Sequence, residues 1–582
     1  MKIIAKGLIG FCTMCFALLA NAQTAHQVNE KLGRGINYGN MLEAPSETAW
    51  GNPWQPEYPE IISDLGFSHV RIPIRWEPAE RSSATSPYTI QPSFMARVQE
   101  IVDASLDNEL LSVINMHHHD ALFDDPDGEK TRFLAQWQQI SEHFKDYPDS
   151  LVFEILNEPH GNLTPEKWNE FIVDALEVIR EENPTRVVLI GTPNWGGLGG
   201  LPLLELPDDD NIILTVHYYN PFQFTHQGAE WVDGDPDAWL GTEWTDSDIE
   251  RAVVQSEFAG LKALSEDQNI PVHIGEFGAY STADAVSRSK WTTFLGRYFE
   301  EQGWSWAYWE FSAGFGIYDP DTESYNDYLV DALVHNEMPE PATFERTLLY
   351  QSNFTSDMDD WFLNVNNTDG AAAQLTRNNN ALRVAVSAVG SQNWHIQLVR
   401  NGFSLEAGKK YGFTYTGSAT GSRPVNAFIG KSSADWDQYG TAGATLGEIS
   451  DTFSGVFDMA AADPNARMVF DLGGSLEDVT IADVKVEALE LIFPEEEEET
   501  VLSLEQQEGV RIFPNPVRDH LRISNTEEYN QLKILNLSGQ QILSLLLSSG
   551  TNRVDMEDLS PGIYFISLSN RQKRHTFKMV KK

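Results

Sequence analysis

Eight short, nearly continuous apolar runs dominate the first 345 residues. They lie at 35–38, 69–74, 111–116, 151–156, 187–191, 213–217, 272–275 and 305–309. Strands of this kind carry no polar face, so both faces must be buried, the condition of a parallel sheet covered by helices. Between most of the runs lie amphipathic stretches of helical period, such as 94–107, 132–144 and 165–182. Thr164 followed by Pro165 reads as an N-cap with proline at the first helical position. Eight strands with intervening crossovers predict an α/β fold, a (β/α)8 TIM barrel over 23–345.

Past residue 345 the helical period disappears. Short alternating runs at 381–386, 411–415, 468–472 and 479–486 are separated by Gly, Asn and Ser. This predicts an all-β sandwich over 346–490. An acidic linker follows at 491–500, containing the glutamates 495–499, and then a small all-β C-terminal domain at 501–582. The apolar run 542–547 is strand-sized. At the other end, Lys2, Lys6, an apolar stretch over 8–19 and Ala20-Asn21-Ala22 read as a signal peptide of residues 1–22. Both cysteines, Cys12 and Cys15, fall inside it, so the mature chain is expected to use neither disulfides nor thiol chemistry.

The chain carries 86 acidic and 40 basic residues, a formal net charge of -46. Nucleic acid and anionic membranes are bound chiefly through Lys and Arg, so neither is an expected partner. A neutral polymer suits this surface better. The 16 Trp mostly serve cores, but an aromatic face also covers the C–H face of a sugar ring.

In a parallel barrel, chemistry gathers at the C-terminal ends of the strands. Read in order, those ends offer Asn37, Asn40 and Glu43; Arg71 and Arg75; His117 and His118; Asn157 and Glu158; Trp195; His217 and Tyr219; Glu276; then Trp309 and Glu310. Glu158 and Glu276 thus end strands 4 and 7, facing each other across the mouth. Cleavage of a glycosidic bond needs two such carboxyl groups, one protonated for the leaving oxygen and one ionised to attack the anomeric carbon. Arg71 favours the ionised form of Glu276, and Asn157 suits a sugar 2-hydroxyl. The histidines 117–119 form no metal set, because an extended chain points His118 away from the other two. The acidic turn 124–128 lacks the closing Glu of a calcium loop. No metal and no cofactor is expected. Asn162-Leu163-Thr164 fits a glycosylation pattern that arises often by chance.

The runs at 156–159 (Leu-Asn-Glu-Pro) and 274–278 (Ile-Gly-Glu-Phe-Gly) resemble the two catalytic signatures of glycoside hydrolase family 5. The likeness extends over about 33–334, through the segments 33–37, 69–76, 114–118, 217–221, 225–231 and 304–310. The nearest branch is that of the Thermotoga-type endoglucanases, some of which also cut mannan. The resemblance implies an endo-β-1,4-glucanase acting with retention of configuration, with Glu158 as acid/base and Glu276 as nucleophile. It further implies that Arg71, His117, Asn157, His217, Tyr219 and Trp309 line the cleavage subsite, Tyr219 orienting Glu276 and Trp309 forming a sugar platform. Asn40, Glu43, His118, His226 and Trp231 match the branch's other substrate contacts. His119-Asp120 departs from the family pattern, where Tyr or Glu-like residues are commoner.

The region around Trp361, Trp394, Trp436 and Tyr439 resembles carbohydrate-binding modules of the family 4/9 type, which implies that the β-sandwich is jelly-roll-like. The segments 511–516, 534–539 and 559–564 resemble the C-terminal sorting domain of the type IX secretion system of Bacteroidota. That resemblance implies passage through the periplasm, export across the outer membrane to the cell surface or medium, and removal of the tail. The expected partners are a β-glucan (cellulose or mixed-linkage glucan) and the type IX machinery. The alternatives are a β-mannanase or broad glucan, glucomannan or xyloglucan hydrolase, and, outside the enzymes, a surface glycan-binding protein.

Overall fold

The computed structural model describes residues 24–494 and, beyond them, 511–513, 517, 520–524, 529–536, 541–548, 550, 552–556, 559–560, 562–570 and 573–581. The expected signal peptide and the glutamates 495–499 lie outside the described residues. Two compact units result. One holds the chain to Asp246, Glu250–Glu340 and the C-terminal segment; the other holds Ser247–Ile249 and the chain from Pro341 to the end of the sandwich.

In the first unit eight parallel strands close into a barrel. They are β1 (Arg34–Asn37), β2 (His69–Ile72), β3 (Leu111–Asn115), β4 (Leu151–Glu154), β5 (Val188–Gly191), β6 (Ile212–His217), β7 (Val272–Phe277) and β8 (Ser305–Tyr308). All eight expected strands are present, with ends shifted by at most two residues. The outer ring includes helices Tyr58–Leu65, Pro92–Asp107, Pro126–His143, Pro165–Glu182, Asp248–Gln268 and Ala285–Glu301. Thr164 caps its helix by accepting from the Lys167 N–H, with Pro165 in the first turn. The fifth crossover departs from the repeat. Between β5 and β6 the chain makes only a 3-10 turn, Leu198–Leu203. Gly196, Gly197, Gly199, Gly200 and Pro202 crowd that segment, and glycine entropy and the missing proline N–H rule out an α-helix.

One element was not anticipated from the pattern. Helix Ala25–Leu32, capped by Thr24 in a reciprocal box with Gln27, brings Val28 and Leu32 onto Val113, Val152, Leu189 and Ile213. These strand residues form an apolar cluster apart from the main core. Most barrel tryptophans are structural. Trp76, Trp137 and Trp168 are fully buried, and their indole N–H groups donate to the carbonyls of Asn115, Ile155 and Gly191 at strand ends. Each thus joins large apolar burial to a satisfied polar tip.

The second unit is a sandwich of two antiparallel sheets. One is ordered Ala372–Asn378, Ala381–Ala388, Val479–Ile492, Lys410–Ala419, Asp451–Asp458, with Thr343–Ser352 on Val479–Ile492. The other is ordered Phe362–Val365, Ile396–Leu405, Asp463–Asp471, Arg423–Gly430, Gln438–Thr441. Alternating residues Leu398, Ala427, Met468 and Phe470 face the shared core. The C-terminal segment forms a three-stranded and a four-stranded antiparallel sheet with its own core around Leu532, Ile534, Ile566 and Leu568.

Candidate active site

The site begins inside the barrel at Arg71, which has no solvent exposure. Its guanidinium donates to Glu154 at 2.6 and 2.8 Å, Asn37 at 2.8 Å, Asn157 at 2.7 Å and Glu276 at 2.7 Å. A buried cation needs this saturation by partners. Through it one side chain fixes residues from β1, β4 and β7 in a single frame. The amide oxygen of Asn157 is occupied by Arg71, which leaves its NH2 to donate outward.

Glu276 is aimed by a bulge. Val216 pairs with Ile274, but His217 pairs with Glu276, so Gly275 is an extra residue in β7. A Cβ at Gly275 would come within 2.9 Å of both His217 Nε2 and Thr215 Oγ1; only glycine fits there. Bulges of this type re-aim side chains beside active sites. The Glu276 carboxylate then accepts from Arg71 and, at 2.9 Å, from the Tyr219 hydroxyl. Opposite it, Glu158 follows β4 with a left-handed backbone, φ 44°, a conformation costly for a residue with a Cβ. Its Oε1 lies 2.8 Å from His217 Nδ1, which is also 3.6 Å from Glu276 Oε2. One oxygen of each carboxylate and the imidazole nitrogen all lie within 4.8 Å of one another.

The electrostatics follow from this crowding. Burial pushes the Glu276 carboxyl above its ordinary value, with the nearby Glu158 adding to the rise against His217 and Arg71. Burial acts the same way on Glu158, but the hydrogen bond and charge of His217 overcome it and hold Glu158 low. Burial disfavours the His217 imidazolium, yet the charges of Glu276 and Glu158 raise it above its ordinary value. Burial, His118 and Arg71 drive His117 well down, so it stands neutral. The shifts thus favour a charged His217 as donor and a charged Glu158 as acceptor across the 2.8 Å hydrogen bond between them.

Around the carboxylates runs an aromatic rim. The ring of Trp309 lies parallel to His117 at 5.6 Å. Trp231 is 59 % exposed and packs on Tyr280 and Phe315. His226 stacks on Phe222 at 4.1 Å and bonds Thr225. His118 meets Trp50 edge-on.

Residues 35–314 match the family model "Cellulase (glycosyl hydrolase family 5)". Endoglucanase A of Ruminococcus albus is 30% identical over 350 residues, which span 54% of this chain and 93% of that protein. This chain belongs to glycosyl hydrolase family 5. A segment 37% identical to Endoglucanase H of Acetivibrio thermocellus covers 54% of this chain but only 33% of that longer protein. Among solved structures, Thermotoga maritima Cel5A in complex with mannotriose is similar at 49% identity and TM-score 0.52. That match covers 53% of this chain and all of the other. The same enzyme with cellobiose aligns at 50% identity and TM-score 0.52, again over 53% of this chain and all of the other. Beyond the barrel, residues 346–480 match a carbohydrate-binding domain model and 511–582 a secretion system C-terminal sorting domain model. The sorting domain marks the chain for export or cell-surface display.

Within this family 5 barrel, Arg71, His117, His118, Asn157, Glu158, His217, Tyr219, His226, Glu276 and Trp309 all converge on the mouth. Asn40 lies on the same rim with φ 63°. Glu43 differs from the expected sugar contact. It is 1 % exposed, and its oxygens accept the backbone N–H groups of Asn40 and Met41. It caps a loop from inside, because two backbone N–H groups of that loop point at its carboxyl. Four residues were missed. Glu154 shares Arg71 with Glu276, and its signal was a lone charge inside an apolar strand run. Trp50 and His160 sit on loops and Phe222 opens the one-turn helix Phe222–Thr225, segments too irregular or short for periodicity to inform. His160 stacks on the exposed Trp195 at 3.6 Å.

In the sandwich, Trp361 is buried in the core and donates to the Tyr350 hydroxyl at 2.9 Å. Trp394 and Trp436 are exposed. The outer face of the second sheet carries Val399, Phe428 and Val469, a small cluster whose members are themselves buried. A polar ladder runs beside them, with Gln397 and Asn426 donating to Asp471 at 2.8 and 3.0 Å. Trp436 lies over Arg467 at 4.5 Å.

Proposed function

We propose that this chain is a secreted endo-β-1,4-glucanase that hydrolyses internal bonds of a β-glucan with retention of configuration. The observation that carries the reading is the approach of Glu158 and Glu276 oxygens within 4.8 Å. Retaining pairs sit about 5–5.5 Å apart, and inverting pairs about 6.5–9.5 Å, with room for a water between them. In the first step Glu276 attacks the anomeric carbon while the glycosidic oxygen takes a proton from Glu158. That proton reaches Glu158 along the His217 hydrogen bond beforehand, so the transfer leaves Glu158 ionised. The product of this step is a covalent glycosyl-enzyme. In the second step Glu158 removes a proton from water, which attacks the anomeric carbon and releases Glu276. Arg71 and Tyr219 keep Glu276 ionised and aligned, and the Asn157 NH2 meets the 2-hydroxyl as charge develops on the ring. Acid, base and nucleophile are all side chains, so no cofactor is required.

A panel of carboxymethylcellulose, mixed-linkage glucan, glucomannan and mannan tests the substrate, with NMR of the first-formed anomer. Initial β-anomer from a β-glucan is expected. Initial α-anomer, or no cleavage of any β-1,4-glucan, refutes the reading. A second reading, activity on β-mannan, draws support from the mannotriose complex of the Thermotoga maritima relative.

The outer face of the second sheet, with Trp436 and the Asp471 ladder, is our candidate for glycan binding by the sandwich. Removing 346–582 is then expected to leave turnover on soluble glucan intact and to weaken adsorption to insoluble polymer. Equal losses on both would make the sandwich a structural part of the barrel. We also infer passage through the periplasm, type IX export and removal of the tail. Mass spectrometry of the extracellular protein is expected to find a C-terminus near 490–510, and an intact Lys582 refutes removal.

A further inference from the structure

A second pair of carboxyl groups lies at the rim, outside the proposed chemistry. Glu310 follows Trp309 directly and is fully buried. Its oxygens accept the backbone N–H groups of Ser312 at 2.9 Å, Ala313 at 2.9 and 2.8 Å and Phe315 at 3.1 Å. Glu43 does the same for Asn40 and Met41 in the loop after β1. The two loops are latched together. Phe311 N–H donates to the Asn37 carbonyl at 3.1 Å. Asn52 donates to the Gly39 carbonyl and accepts from the Ser312 hydroxyl, both at 3.0 Å. A Cβ at Gly39 would lie 2.8 Å from Glu310 Cβ and 3.1 Å from the Trp309 ring.

We propose that Glu310, facing Glu43, is a positioning residue that holds the aromatic rim in its sugar-binding arrangement. The carboxyl gathers the turn that carries Phe315, and Phe315 in turn supports Trp231, Tyr280, Tyr219 and His226. The peptide just before Glu310 carries Trp309. One buried group therefore fixes both the platform beside His117 and the opposite aromatic wall. Burial is the main cause that raises Glu43 to about 8 and Glu310 to about 7. Glu43 faces Glu310 and, from the segment after β2, Arg81. Glu310 faces Arg288, Tyr308, Tyr58 and Glu43. Below neutrality both carboxyls are protonated. As pH rises through these values, two like charges develop that repel each other, and the latch loosens.

This inference rests on the proposed glucanase reading, so its test needs a readout independent of turnover. Full-length Glu310→Ala, Glu310→Gln and Asn52→Ala are compared by kcat and KM on mixed-linkage glucan and by amide hydrogen exchange of residues 309–316. Glu310→Ala is expected to raise KM about tenfold with kcat within about threefold, because misplaced binding surface weakens binding rather than chemistry. Glu310→Gln, which keeps one acceptor, recovers part of the loss. Asn52→Ala shifts KM less, in the same direction. Exchange in 309–316 rises in the same order, and the wild-type KM rises on the alkaline side of neutrality. An unchanged KM with unchanged exchange in folded Glu310→Gln and Asn52→Ala overturns the proposal, even where Glu310→Ala fails to fold. If the wild type cleaves no glucan, the glucanase reading fails, and unchanged exchange alone decides against the positioning role.

Discussion

Two pairs of glutamates stand at one barrel rim under different electrostatic regimes, Glu158 partly exposed and the other three buried. Glu158 and Glu276 face a saturated Arg71 and a raised His217. Glu43 and Glu310 accept only backbone N–H groups in the rim loops. Burial raises every one of these carboxyls; what differs is whether a cation answers it. Where one does, charge is maintained and chemistry is possible. Where only backbone N–H groups bond the carboxyl and the cations Arg81 and Arg288 stand off, burial prevails, and the carboxyl caps its loop with its titration raised to about 8 in Glu43 and about 7 in Glu310.

The largest effect that tests this contrast is loss of the reaction. Glu158→Gln and Glu276→Gln are each expected to cut kcat on soluble glucan by about 10³-fold or more, with circular dichroism unchanged. Near-normal turnover in either folded variant would remove the first pair from the chemistry. Arg71→Met attacks the cation itself. It strands Glu154 and Glu276 as buried charges, so unfolding by denaturant should show a loss of about 3–5 kcal/mol. A loss below about 1 kcal/mol would mean that the two carboxylates neutralise without cost.

The pH profile of kcat/KM sharpens the comparison further. Glu276 must be ionised, and burial raises it, so the acid limb should lie above pH 4.5. The alkaline limb should follow loss of the His217 proton, above pH 6.5, and should move in His217→Asn. An acid limb below pH 4.5 would contradict the burial of Glu276. The smallest effect concerns stability. Glu43 is raised in the folded chain, so its stabilising contribution is full below about pH 4.5 and is lost as pH rises through about 8. Glu43→Gln should flatten that decline in Tm against pH. An unaltered slope would mean that Glu43 does not titrate over this range.

Much of the frame is legible in the sequence because its cause is local and periodic. Continuous apolar runs mark the eight strands, and Thr164-Pro165 marks a helix start. The glycines and Pro202 of 196–202 account for the missing helix of the fifth crossover once the 3-10 turn there is seen. Glu158 and Glu276 are legible because strand ends in a closed parallel barrel converge on one face. The sequence alone therefore determined the barrel, the alternating sandwich strands and the two carboxylates at strands 4 and 7. Tertiary structure decided everything that depends on who answers a charge. Glu154 joins Arg71 from a strand 83 residues away, and Glu43 turns inward onto its own loop. Trp76, Trp137 and Trp168 serve the core while Trp231 stays at the rim. Electrostatic partners and solvent exposure are properties of packing across distant segments, and no local pattern in the chain encodes them.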